Sequence, residues 1–163
     1  MSTTDELMKN AEAYAQGFDK GDLPMPPARK IAVLACMDAR IIPTRLLGLE
    51  EGEAHVIRNA GGIVSDEEIR SLAISQHLLG TEEIVLIPHT DCGMLTFKDE
   101  EFSQQLRDAT GEEPPFEAHS FSDVEEDLKD SVKTIEDSPF IRHKNVRGFI
   151  YEVETGRLRE VAA

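Results

Sequence analysis

Basic residues, cysteine and long apolar runs are all scarce in this chain of 163 residues, and each shortage excludes something. Against 32 Asp and Glu there are 17 Lys and Arg, a formal net charge of -15, and no basic run is longer than the pair Arg29-Lys30. Such an acidic surface repels phosphate backbones and anionic headgroups, so neither nucleic acid nor a membrane is expected as a partner, and the acidity serves solubility. No apolar stretch approaches the roughly 20 residues that span a bilayer. The N-terminus, MSTTDELMKN, is polar and carboxylate-bearing rather than signal-like, and the expected location is cytoplasmic. In that reducing compartment Cys36 and Cys92 stay thiols, which sets metal binding or catalysis against plain burial as small hydrophobes.

The length fits one domain with a real core. Residues 3–18 open with the capping-box spacing Thr3-x-x-Glu6 and carry Leu7, Ala11 and Tyr14 at helical intervals, and the proline-rich arm 21–30 follows as an extended connector. The unbroken apolar run 30-KIAVLAC-36 suits a strand covered on both faces, as in a parallel sheet. Pro43 begins a short helix that Gly48 stops, and 53-EAHVIRNAGG-62 reads as a strand leading into a glycine pair. A helix capped by Ser65-x-x-Glu68 presents Ile69, Leu72, Ala73 and Leu79 on one face, with Gly80 at its boundary. The segment 82-EEIVLIPHTDCG-93 repeats the plan of a strand ending in metal-binding residue types. Helices are expected from about Asp99 to Thr110 and from Ser122 to Asp137, the latter with a Ser122-x-x-Glu125 box. Strands 146–153 and 158–161 surround a hairpin turn at Glu154-Thr155-Gly156-Arg157. The fold class is α/β: a three-layer sandwich with a central, mainly parallel sheet of four to five strands flanked by helices. Two parallel strands then deliver 36-CMDAR-40 and 89-HTDCG-93 to the same carboxyl edge, where open α/β sheets bind ligands.

Cys36, His89 and Cys92 supply two thiolates and one imidazole, the donor set of zinc sites that keep a fourth position open. That fourth place goes to water, to a carboxylate, or to each in turn. Such a zinc is electrically neutral before the fourth ligand arrives, so it acidifies water less than a site of three imidazoles and needs help from backbone N–H groups near Gly61, Gly62 or Gly93. Asp38 has two competing fates: to fold back onto the metal and shut the site, or to be held bidentately by Arg40 and leave the vertex to water. The plainer alternative is a surface ion pair of little consequence, the commonest end for an acid and a base at short spacing. His55, His77, His119 and His143 have no partner at ligand spacing. The turn 58-RNAGG-62 lacks the Gly-x-Gly-x-x-Gly pattern of a phosphate cradle.

The three motifs Cys36-Met37-Asp38-Ala39-Arg40, Arg58-Asn59-Ala60-Gly61-Gly62 and His89-Thr90-Asp91-Cys92-Gly93, in this order and separation, resemble the β-class carbonic anhydrases, and most closely the short members of that family. The resemblance runs from about Lys30 through Thr96 and more loosely to about Val161. It implies Zn2+ on Cys36, His89 and Cys92, with Asp38 as gating carboxylate and Arg40 as its partner. The implied reaction is reversible hydration of CO2 to bicarbonate and a proton, by attack of zinc-bound hydroxide. A substrate pocket is expected around Asn59, Gly61, Gly62 and Gly93. The same resemblance implies a homodimer or a multiple of one, in which residues 1–29, helix and arm, pack on the partner subunit while 30–163 form the zinc-binding catalytic domain. Two alternatives stand beside it: a carbonyl sulfide or carbon disulfide hydrolase on the same zinc site, and a non-catalytic binding protein stapled by zinc. The chain has no tryptophan, so the regulatory bicarbonate pocket that some relatives build with one is not expected.

Overall fold

The side chains of Ala32, Val33, Leu34 and Ala35 are all fully buried, and this continuous apolar segment forms the inner strand on which the fold is assembled. The structure, a computed structural model, describes residues 2–162; the outer ends of the two expected regions, Met1 and Ala163, lie outside them. In chain order the elements are α1 (Thr3–Gln16), β1 (Ile31–Cys36), α2 (Pro43–Leu47), β2 (Ala54–Asn59), α3 (Asp66–His77), β3 (Glu83–Ile87), α4 (Asp99–Thr110), α5 (Val124–Asp137), β4 (Asn145–Glu152) and β5 (Arg157–Ala162). They form a five-stranded sheet in the order β2-β1-β3-β4-β5. The first four strands are parallel and β5 is antiparallel to β4. This is the expected α/β class with a mainly parallel sheet.

One face of the sheet presents Ala32, Leu34, Ile84, Leu86 and Ile150 to Leu72 of α3 and to Leu128, Val132 and Ile135 of α5. Helix α5 lies so low over β4 that a Cβ on Gly148 would come 2.8 Å from Leu128 Cδ1, so glycine there sets the spacing of the two layers. The other face is built from Val33, Ala35 and Ile87 against Leu46, Leu47 and Leu49, which follow from the short α2 and the chain just after it. Helix α4 stands beyond the carboxyl end of the sheet, where Phe102 meets Phe97 at 5.5 Å between ring centres.

Several local expectations shift by a residue or two. The capping box of α1 is Ser2 with Asp5, not Thr3 with Glu6: Ser2 N–H donates to Asp5 Oδ2 at 2.8 Å and Asp5 N–H to Ser2 Oγ at 3.2 Å. The box at Ser65 and Glu68 forms, with Ser65 N–H donating to Glu68 Oε2 at 3.0 Å. Helix α3 ends at His77, so Leu79 falls beyond it. Helix α5 is capped by Asp123, not Ser122: Asp123 Oδ1 accepts from the amides of Glu125 and Glu126 at 2.8 and 3.1 Å, and its negative charge lies at the positive end of the helix. Arg157 already belongs to β5, which leaves residues 153–156 to the turn.

Candidate metal centre

Strand β1 ends on Cys36, which pairs with Asn59 at the end of β2, and β3 ends one step short of Pro88 and His89 beside it. The chain after β3 does not leave the sheet at once. His89 bridges Tyr151 of β4, Tyr151 N–H donates to Pro88 O at 2.9 Å, and Thr90 N–H donates to Tyr151 O at 2.9 Å. Thr90 Oγ1 also accepts from Val153 N–H at 3.1 Å, so the His89 backbone is tied to β4 on both sides. Both motif-bearing loops therefore start from rigid strand ends at the carboxyl edge, as the paired apolar runs predict.

There the donor atoms of Cys36, His89 and Cys92 lie within 4.8 Å of one another, and all three residues are buried. His89 Nδ1–H donates to Thr90 O at 2.7 Å, which leaves Nε2 as the lone-pair nitrogen. Among the described residues, His89 Nε2 is the one buried polar side-chain atom with no hydrogen-bond partner. An acceptor orphaned in the interior is costly, and here it faces two sulfurs, so the group fits a thiophilic metal ion that completes all three donors at once. The two thiols push each other's titration in opposite directions. Cys36 is drawn down to about 4, first by the hydrogen bond from Cys92 and against the opposing effect of burial. Cys92 is pushed well up by that same hydrogen bond and by burial. The direction at Cys36 favours the thiolate, the form that a cation would bind.

Asp38 does not point away into solvent as an ordinary surface acid would. Its Oδ1 accepts from Arg40 N–H at 2.8 Å and from Arg40 Nε–H at 3.0 Å, and its Oδ2 accepts from Arg40 Nη2 at 2.9 Å. These bonds, the side-chain ones foremost, hold its carboxyl well below the usual carboxylate range. Oδ2 stands 3.6 Å from His89 Nε2, at the mouth of the donor group. The chain thus adopts the arrangement in which Arg40 retains the carboxylate. Arg58 fixes the loop beneath: its Nε and Nη2 donate to Cys36 O at 3.0 and 2.8 Å, and Nη2 also donates to Asp38 O at 2.8 Å.

The remaining expected pocket residues divide. Gly61 is buried under Met94 and Phe121, and Gly62 lies against the Cys36 backbone. Gly93 is open on its Cα side and begins the short turn Gly93–Leu95. Asn59 spends its amide on its own turn, donating to Ile63 O at 2.9 Å and accepting from Ile63 N–H at 3.0 Å. Beside Met94 opens a cavity of about 660 Å3 whose apolar lining includes Ala60, Phe97, Phe102 and Phe116. Sequence reasoning placed Arg58 and Asp91 in motifs without giving either a task; the signal available was their position beside strand ends at the functional edge.

The sequence profile of carbonic anhydrases matches residues 31–158, which includes all three donors and both glycine-bearing turns. The chain belongs to the carbonic anhydrase family. It is 54% identical to β-carbonic anhydrase 1 of Mycobacterium tuberculosis over 162 residues, covering 99% of each chain. Its fold overlays the crystal structure of carbonic anhydrase from Streptococcus mutans with a TM-score of 0.92 at 41% identity, covering 99% of this chain and 98% of that one. A carbon disulfide hydrolase of Acidianus is 34% identical, with 96% of this chain and 87% of that protein covered. Among the described residues no helix is long and apolar enough to cross a membrane.

Proposed function

We propose that this chain is a zinc-dependent β-class carbonic anhydrase that interconverts CO2 with bicarbonate and a proton, and that it works as a homodimer or a multiple of one. The observation that carries the reading is the buried donor group, with an imidazole nitrogen orphaned between two sulfurs at the edge where Arg40 holds Asp38. Whole-length similarity to a β-carbonic anhydrase supports the substrate. Cys36 Sγ, His89 Nε2 and Cys92 Sγ would hold the ion. Bound there, zinc supplies Lewis acidity that makes water a usable nucleophile near neutral pH.

Everything else is the work of the chain's own groups. Thr90 O fixes the His89 tautomer by accepting from Nδ1–H. Arg58 holds the carbonyls of Cys36 and Asp38, so the loop that carries both residues keeps one conformation. Arg40 keeps Asp38 ionised and in its grip, and from that position Asp38 Oδ2 would accept a hydrogen bond from a reacting water and orient it. The apolar cavity beside Met94 suits an uncharged linear substrate better than an anion, which favours departure of bicarbonate. The exposed apolar residues of α1, Leu7, Met8 and Tyr14, supply the face for a partner subunit.

Likeness to a carbon disulfide hydrolase at 34% identity favours a second reading, hydrolysis of a sulfur analogue at the same centre. One experiment separates the two: stopped-flow CO2 hydration by zinc-loaded protein across neutral and alkaline pH, beside sulfide release from carbon disulfide and carbonyl sulfide. Fast CO2 hydration, absent from Cys36→Ser protein, is the expected result. Sulfide release without CO2 hydration would move the assignment to the second reading, and inactivity in both assays with full zinc content would leave only a structural metal.

A further inference from the structure

Asp91 lies between His89 and Cys92 at φ +53°, a left-handed conformation that a side chain adopts at some cost. Its side chain is 78% exposed, so burial does not account for its orientation. It reaches back across the site to Arg40. Arg40 Nη1 donates to Asp91 Oδ2 at 2.8 Å, and Arg40 Nη2 donates to the Asp91 main-chain carbonyl at 3.0 Å. The other edge of the guanidinium, Nε and Nη2, is the one that holds Asp38. All three guanidinium nitrogens are therefore engaged, and the plane of the group is fixed by two loops that are 51 residues apart in sequence.

We propose that Asp91 is a positioning residue, which pins the far end of Arg40 so that its Nε–Nη2 edge stays on Asp38 and keeps that carboxylate from the metal vertex. A guanidinium on a flexible stem held at one edge only can rotate and exchange its partner for water, whereas one held at both edges cannot turn without breaking bonds on the other loop. The left-handed backbone of Asp91 serves the same contact, because it turns the carbonyl as well as the carboxylate toward Arg40. The inference rests on the carbonic anhydrase reading for its effect on turnover but not for the contact itself.

The test uses the backbone. Glycine adopts a positive φ freely, so Asp91→Gly removes the carboxylate while relieving, rather than adding, backbone strain, and Asp91→Asn keeps a neutral acceptor on a residue that tolerates the same conformation. The Arg40 Nε–H signal, assigned by its loss in Arg40→Lys protein, is followed by nitrogen-15 NMR in metal-free protein. CO2 hydration is measured separately in zinc-loaded protein. In Asp91→Gly protein the Arg40 signal should exchange with water about threefold to fivefold faster, and kcat/KM at neutral pH should fall by a similar factor through kcat, with a melting temperature no lower than that of the unsubstituted chain. Asp91→Asn should lie between. An Arg40 signal as slow in Asp91→Gly as in the unsubstituted chain overturns the proposal, as does a loosened Arg40 with unchanged turnover. If the unsubstituted zinc protein hydrates no CO2, the carbonic anhydrase reading fails by itself, and the Arg40 signal still decides whether Asp91 holds the guanidinium.

Discussion

The Cα of Gly62 sits so close to the main chain of Cys36 that a Cβ there would come 2.9 Å from the Cys36 amide nitrogen and 3.2 Å from the Ala35 carbonyl carbon. Gly62 also has φ +65°. Both neighbours are backbone of the buried strand β1, so neither can yield without moving the first donor of the metal group. Gly62→Ala should therefore cost roughly 3 kcal/mol or more of stability, from strain and overpacking together, and should lower zinc affinity with it. Denaturant midpoints and zinc stoichiometry of the purified variant check both; a zinc-replete variant as stable as the parent would refute the close approach.

Removing Arg40 tests the proposed gate from the other side. Three hydrogen bonds from Arg40 hold Asp38, two of them from the guanidinium, and Asp38 Oδ2 is already 3.6 Å from the imidazole nitrogen that faces the donor group. Without them the carboxylate is free to compete for the metal. Arg40→Ala should reduce kcat/KM for CO2 at pH 7 by about tenfold or more, the scale of charge-assisted hydrogen bonds, while zinc resists chelators better than in the parent. Arg40→Lys, which offers a point charge but no fork, should fall between. Near-normal turnover in the alanine variant would make Arg40 ordinary surface charge.

The outcome at each position shows what a sequence can carry. The unbroken runs of β1 and β3 have the composition of doubly covered strands, and their parallel pairing follows from that alone, with the donors of Cys36 and His89 brought together as a consequence. Caps were legible only to within a residue, because Ser2 and Thr3, or Ser122 and Asp123, stand side by side and both members of each pair begin an acceptable spacing. The tasks of Arg58 and Asp91 were not legible. Their bonds run to main-chain carbonyls and to a side chain 20 to 51 residues away, and such contacts leave no period or spacing in the chain. Only the strand order that puts β2 and β3 on either side of β1 creates them.

Away from the site, Asp127 on α5 gives a pH dependence of known sign. Burial, with a smaller push from Asp130, raises its carboxyl from 3.8 to about 6. Between those values the folded chain retains a proton that the unfolded chain has released, so stability falls as pH rises from about 4 to 6 and then levels off. Asp127→Asn removes the cost. After allowance for partial exposure, the variant should exceed the parent by about 2 kcal/mol at pH 8 and match it near pH 4, in urea melts at the two pH values. An equal gain at both would mean that the change acts through packing and not through charge.

Helix α1 buries none of its residues, although Leu7, Met8 and Tyr14 are among the larger apolar side chains of the chain. Near its C-terminal end Tyr14 Oη donates to Glu51 Oε1 at 2.8 Å, and just beyond it Lys20 Nζ donates to Glu51 Oε2 at 2.6 Å. Such exposed contacts contribute little, and a helix of 14 residues is marginal in water without an apolar partner. In the proposed homodimer the second subunit would supply that partner. Deletion of residues 2–18 should convert the protein to monomers by light scattering at micromolar concentration, with the α/β sheet intact by circular dichroism. Leu7→Glu together with Tyr14→Glu should do the same without shortening the chain, because a charge on each would be costly to bury against the proposed partner. Dimers that survive both changes would place the subunit contact elsewhere on the fold and leave α1 a solvent-exposed arm.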